Sequence, residues 1–256
     1  MKDIIFGGTY LSSFGTLTSV TDLFKAAEPR GDNQVIPYSD GRRDVTRYFD
    51  QKIFTLGLSI EEESIQELEA AIDNLKAVCG ARSQQLFQAV MEDRSIRQGY
   101  AKVRGNLNPN RISPTAARLA LDFVFLDPFL RSNTLTTVTQ TINSSPFTYT
   151  LTNPGTAEER KSVIRFTGPL AYPQLTNLAN NVWVGYNAVL TAGHYVDIDC
   201  GAWTAVDDAS ANVIGNILHS GDSAFMALLA GANPMSVTDG THTTGTVRVT
   251  FYPPYF

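Results

Sequence analysis

Two cysteines, three histidines and no long apolar run set the first limits on this 256-residue chain. Cys79 and Cys200 lie far apart in stretches of different composition, which speaks against a disulfide framework and predicts two buried, reduced thiols. The longest run of small and apolar residues, 224–232, falls far short of the roughly 18 residues that a membrane-spanning helix requires. The start, Met1-Lys2-Asp3-Ile4-Ile5-Phe6, sets an acid beside its lysine and holds no secretory apolar region. A soluble protein made in a cytosol, with no membrane partner, is the expectation. Basic excess is missing as well: 20 Lys and Arg against 25 Asp and Glu give a net charge of −5, so nothing marks a nucleic-acid-binding surface. The catalytic signatures G-x-S-x-G and H-E-x-x-H, the P-loop and the dinucleotide fingerprint do not occur, and the reading is of a non-enzyme without cofactor.

What the chain does have is an uneven distribution of charge. Residues 1–130 hold 32 charged side chains and residues 131–256 hold 13. The second half is written instead in Thr, Asn, Gly and aromatic residues, the vocabulary of short strands and turns. The boundary is expected near Asp127-Pro128, where proline disfavours regular structure on both sides. This predicts a mainly β protein of two domains, 1–130 as a β-sheet or sandwich with one helix and 131–256 as a β-sandwich or jelly roll.

The helix is expected from about Ile60 to Cys79, with Ser59 and Glu62 as a capping box and Gly80 as a left-handed terminator. Ile65, Leu68, Ile72, Leu75 and Cys79 form its apolar stripe, and Glu61, Glu62, Glu63, Glu67, Glu69 and Asp73 its acidic face. Around it, Phe54, Leu56, Leu58 and Ile60 alternate as a strand, followed by strands over 86–91, 100–104 and 118–126. In the second half, strands are expected over 134–142, 147–151, 162–168, 183–186, 195–200, 224–229 and 246–252, with Asn153-Pro154-Gly155, Gly168-Pro169, Ala192-Gly193 and Gly231-Ala232-Asn233-Pro234 as turns.

Between Arg94 and Arg118 stand six basic residues and no acid, opposite in sign to the helix face. Complementary faces on one domain suit a head-to-tail contact that closes into a ring. Tyr100, Lys102 and Arg104 share one strand face and, with Glu63 and Glu67, are the candidate interface residues; pairing of these charges within one subunit is the plain alternative.

Three constellations invite chemistry. His194 beside Asp197 and Asp199 suggests a metal, but strand alternation puts His194 with Val196, Ile198 and Cys200, opposite the acids. Calcium held by the two acids would need about six or more oxygens, and no loop motif gathers them. Asp207-Asp208 are adjacent on a turn and cannot be assumed to flank a glycosidic bond. His219 and His242 are expected to face solvent. Trp183 and Trp203, with Tyr172 and Tyr186, either stack on sugars or serve as core and docking aromatics, the second being favoured.

Several stretches stand out by their order and spacing. They are Pro29-Arg30-Gly31-Asp32-Asn33 with Pro37-Tyr38-Ser39-Asp40-Gly41-Arg42-Arg43, then Leu121-Asp122-Phe123-Val124-Phe125-Leu126-Asp127-Pro128-Phe129. Gly168 through Pro173 to Asn177, Leu190-Thr191-Ala192-Gly193-His194-Tyr195-Val196-Asp197-Ile198-Asp199-Cys200, Leu229-Ala230-Gly231-Ala232-Asn233-Pro234 and Val247-Arg248-Val249-Thr250-Phe251-Tyr252 follow. Together they resemble the distal tail protein (Dit) family of siphophages over nearly the whole chain. The resemblance implies a hexameric ring built by the N-terminal domain in continuation of the tail tube, and a galectin-like C-terminal sandwich outside it. It further implies a place at the virion tail tip after assembly in the host cytoplasm. Its implied partners are the tail tube protein, the tape measure protein and tail-tip fibre or receptor-binding proteins, with genomic DNA only passing through. The galectin sugar signature, His followed by Asn and Arg at alternate positions, has no counterpart here. A carbohydrate-binding adsorption module or another tail-tube subunit are the alternatives.

Overall fold

The computed structural model describes the chain except for residues 27, 31–33, 36–41, 44–47, 106, 221–224 and 241–243. Much of the first family-like motif and His242 therefore lie outside the described residues. The chain divides into two compact units, Met1–Asn133 with Phe256, and Thr134–Tyr255.

In the first unit the main strands are β1 (Asp3–Phe6), β2 (Thr16–Thr21), β3 (Lys52–Glu61), β4 (Gln85–Val90), β5 (Ile96–Arg104) and β6 (Ala116–Phe125), with helix α1 (Ile65–Cys79). They form an antiparallel sheet in the order β1-β4-β5-β6-β3-β2. The expected alternation holds: Phe54, Leu56, Leu58 and Ile60 are all buried. Phe54 stacks on Phe123 at 5.0 Å between ring centroids, and Phe6, Phe87 and Phe125 close around the pair. Each such ring removes a large apolar area from water, at about 25 cal/mol per Å², so the phenylalanine cluster anchors this core.

The helix start is corrected. Strand β3 continues to Glu61, where Glu61 pairs with Ala116, and Ser59 is a nearly buried strand residue opposite Arg118. An extended backbone committed to a ladder cannot begin a helix. The next Ser-x-x-Glu does so: Ser64 is extended at φ −137, the Glu67 amide donates to its Oγ at 3.2 Å, and that hydroxyl donates to the Glu67 carboxylate at 2.9 Å. Leu68, Ile72, Leu75 and Cys79 form the buried stripe, while Ile65 in the first turn is 45% exposed. Gly80 is not left-handed. At φ −82 its amide reaches Lys76 O at 2.7 Å, and a Cβ there would come within 2.6 Å of that same oxygen.

In the second unit the main strands are β7 (Thr136–Ile142), β8 (Phe147–Asn153), β9 (Val163–Thr167), β10 (Gln174–Asn177), β11 (Val182–Tyr186), β12 (Tyr195–Asp199), β13 (Thr204–Asp207), β14 (Ile217–His219), β15 (Gly231–Thr238) and β16 (Gly245–Phe251). They make two five-stranded antiparallel sheets, β7-β16-β9-β12-β13 and β8-β15-β10-β11-β14. Ile164, Phe166, Ile198 and Val249 from one sheet share a single core with Leu151, Leu175, Val184 and Val237 from the other. The protein is thus mainly β, with one α-helix among the described residues.

Two expectations fail in this unit. Residues 225–229 are not a strand, although Phe225, Met226, Ala227 and Leu228 are buried; Leu228 makes only an isolated bridge to Glu159. Asparagine side chains take the place of a ladder: Asn177 and Asn180 donate to Ala227 O at 2.8 and 3.0 Å, and Asn233 donates to Leu229 O at 2.9 Å while accepting the Leu229 amide at 2.8 Å. Buried backbone needs partners, and here side chains supply them. Conversely, Gly231–Pro234, expected as a turn, opens β15. Pro234 opposes Thr150 on β8, and on its other side, where the β10 ladder has stopped at Met235, its carbonyl accepts the Leu178 amide at 2.8 Å, so the missing proline N–H falls past the end of that ladder.

Candidate functional site

Strand β5 carries the residues that the sequence offered as an interface. Ala101 points into the core and Val103 packs against it, so Tyr100, Lys102 and Arg104 point outward, and all three are exposed, Tyr100 at 62%. Across the sheet they stand opposite Leu86, Val124 and Asp122. Asp122 is engaged by Thr55, whose hydroxyl donates at 2.7 Å.

The acids are arranged differently from the sequence expectation. Glu63 precedes the helix and is exposed; Glu67 closes the helix cap. Glu69 pairs with Arg111 at 2.8 Å and Asp73 with Lys76 at 3.0 Å, so part of the helix charge and one of the six basic residues are satisfied inside a single chain. Both pairs are exposed, where such contacts contribute about 0–1 kcal/mol each.

In the second unit Tyr195, Asp197 and Asp199 share an outer face and Val196, Ile198 and Cys200 are buried, as the alternation requires. His194 departs from its expected place. It precedes β12, is exposed, and its Nδ1 lies 2.9 Å from Asp208 Oδ2. The two acids of the face are each occupied: Asp197 receives the Arg165 guanidinium on both oxygens, and Asp199 accepts the amides of Gly201 and Ala202 at 2.8 Å each. Hydrogen bonding to Asp197 pushes the Arg165 pKa above the ordinary arginine value. Asp207 in turn accepts the amides of Ala209 and Ala211. These carboxylates hold turns and an ion pair. Among the described residues no group of three or more His, Cys, Asp and Glu could hold a metal ion.

The aromatic candidates are not gathered in one place. Trp183 is half-buried on β11 and Tyr186 is buried, whereas Tyr172 is 58% exposed. Trp203 is 44% exposed with φ +57, and its ring lies 4.4 Å from that of buried Phe225 and 6.2 Å from His219. His219 is therefore half-buried against aromatics, not simply solvent-facing.

Two groups escaped sequence reading. Lys52 opens β3 on the core side, is 4% exposed, and its Nζ has no partner among the described residues; burial, with the Arg97 charge adding to it, lowers its pKa to about 8. The lysine falls in phase with Phe54, Leu56 and Leu58, which was the one available signal. The Arg165–Asp197 pair, with Arg165 lying 3.8 Å over the Tyr195 ring, joins residues 32 positions apart, and no local pattern announces it. Cys79 and Cys200 are both buried free thiols, pushed up to about 11 and about 12 by burial.

No protein-family model matches the chain, and no curated protein matches it. Among solved structures, the crystal structure of SPP1 Dit (gp 19.1), described as a paradigm of hub adsorption apparatus in phages infecting Gram-positive hosts, aligns over 98% of both chains with a TM-score of 0.70 at 14% identity. The phage P2 baseplate in its activated conformation, with Ca and again with Sr, aligns over 97% of this chain and 90% of its own at 7% identity, with a TM-score of 0.37. A score that low carries no weight. The likeness to SPP1 Dit, in contrast, spans both compact units, and the fold of this chain is similar to that of SPP1 Dit.

Proposed function

We propose that the chain is a structural protein of a phage tail, a distal tail hub component that closes into a homohexameric ring and connects the tail tube to the host-adsorption tip. The observation that carries this reading is the near-complete two-way alignment with a Dit protein, 98% of each chain, since a match confined to one unit would have spoken only for a common β module. The motifs that resemble the same family lie in both halves, which supports the reading independently of the fold. In this proposal residues 1–130 form the ring, and residues 131–256 form a galectin-like sandwich whose two sheets share one core. The tail tube and tape measure proteins and the adsorption fibres or receptor-binding proteins are its partners, DNA passes through the ring, and no step is catalytic.

Tyr100, Lys102 and Arg104 remain the proposed contact on one side of the subunit interface, because all three are exposed on one strand face. Glu63 is the acid offered to them. Glu67 takes part only as far as the cap leaves one carboxylate oxygen free. Apolar burial supplies most of the ring's affinity, and charge sets register and association rate. Native mass spectrometry with negative-stain electron microscopy tests the proposal: six-fold rings are expected, and a protein that stays monomeric at high concentration refutes it. Lys102→Glu/Arg104→Glu should lower the ring population at moderate salt; an unaffected ring removes the electrostatic contact alone.

A further inference from the structure

The sheet β7-β16-β9-β12-β13 has an outer face with unused hydrogen-bonding capacity. On β16, Val247, Val249 and Phe251 point into the core, so Thr246, Arg248 and Thr250 point outward, half-buried. Arg248 stands opposite Thr139 on β7 and opposite Arg165 on β9. Arg165 in turn opposes Asp197 and binds its carboxylate through two nitrogens, so that acid is already taken. Arg248 has no hydrogen bond or ion pair with any described residue. Like charges set directly opposite each other in an antiparallel pair are unfavourable, so the fold gains nothing from this arginine at this position.

Its remaining neighbours on the face are hydroxyls. Thr139 lies opposite, Thr246 and Thr250 two residues either way along the strand, and Thr137, Thr141 and Thr167 on the diagonals. None of these six hydroxyls has a hydrogen-bond partner among the described residues. The face thus offers five guanidinium donors with one uncommitted positive charge, ringed by six groups that both donate and accept.

We propose that this face is a binding site for a carboxylated carbohydrate, a uronate-type sugar, with Arg248 taking the carboxylate and the surrounding threonines the sugar hydroxyls. The composition of the face selects that ligand. One planar cation matches one carboxylate in a bidentate pair. An acidic protein surface would call for several cations and apolar anchors, and Val163 is the one aliphatic neighbour of Arg248 here. The inference stands apart from the hub reading, since it rests only on one sheet face of the second unit.

The full chain titrated with trigalacturonic acid, with its methyl ester and with acetate, followed by amide chemical shifts at physiological salt, tests it. The acid should bind saturably, the ester roughly tenfold or more weakly because the charge-assisted bonds are gone, and acetate without saturation. Arg248→Gln should reduce the affinity for the acid to that of the ester while leaving the thermal midpoint equal to or above wild type. Thr139→Val should weaken acid and ester alike. Equal affinity for acid and ester, indifference to Arg248→Gln, saturable acetate binding as strong as that of the sugar, or no saturable binding at all each overturn the proposal. Should Arg248→Gln fail to fold, Thr139→Val and Thr250→Val carry the test with the arginine in place, and unchanged affinity in both overturns it.

Discussion

Replacing Asn233 with Ala should be among the most damaging single changes in the second unit. Asn233 is fully buried. Its Oδ1 accepts the Leu229 amide at 2.8 Å and the Asn177 side-chain amide at 2.9 Å, and its Nδ2 donates to Leu229 O at 2.9 Å and Gly231 O at 3.0 Å. Truncation leaves the partly buried backbone amide and carbonyl of Leu229 without these partners, and loosens buried Asn177, which also holds Ala227 O. An unsatisfied buried polar group costs about 1–3 kcal/mol, and the groups lie in one network, so the sum is expected at about 3–5 kcal/mol and not at four separate full penalties. In a unit of this size each kcal/mol shifts the midpoint by a few degrees, giving a loss on the order of 10–20 °C by calorimetry. Asn233→Asp keeps the acceptor, loses both donors and buries a charge, so it should be no milder at neutral pH. Amide hydrogen exchange should show protection lost first across residues 225–230. A midpoint within about 1 kcal/mol of wild type for Asn233→Ala would refute the account, because it would mean that this segment is not held by its asparagine bonds.

Lys52→Met should change how stability depends on pH. The folded-state pKa of Lys52, about 8, lies below its unfolded value of 10.5, so between the two the unfolded chain binds more protons and stability rises with pH. The cost of this lysine is complete below about pH 8 and gone above 10.5. The wild-type-minus-variant difference in urea unfolding should therefore shrink across that window; a flat difference contradicts the burial argument. Ser64→Ala should cost about 1 kcal/mol through loss of the helix cap, whereas Glu63→Ala should be nearly silent in denaturant midpoints. Leu75→Ala should cost about 2–5 kcal/mol, because its side chain lies on the buried stripe of α1. Cys79 and Cys200, buried and with raised pKa values, should react with a thiol reagent near neutral pH only after unfolding; fast labelling of the native protein would contradict their burial.

Whatever depends on local periodicity was legible before the fold. Alternation at 54–60 and 195–200 determined which side chains enter each core, since a strand residue two positions on returns to the same face. The three-and-four spacing of Leu68, Ile72, Leu75 and Cys79 determined the buried side of the helix. The fall in charge after residue 130 marked two differently composed halves, and the chain divides between Asn133 and Thr134. Tertiary structure decided what local pattern leaves degenerate. Two Ser-x-x-Glu boxes five residues apart compete to cap one helix, and the ladder between β3 and β6 settles the choice by holding Ser59 extended. Residues 225–229, buried but for Leu229, read as a strand because burial and strand pairing share one composition; Asn177 and Asn180, 50 and 47 positions before Ala227, and Asn233 just beyond, supply the partners that a ladder would otherwise give. The same holds for Arg165 and Arg248, strand residues of equal appearance in sequence. Only the register sets Asp197 beside the first and leaves the second among threonines, because cross-strand neighbours are chosen by pairing and not by proximity along the chain.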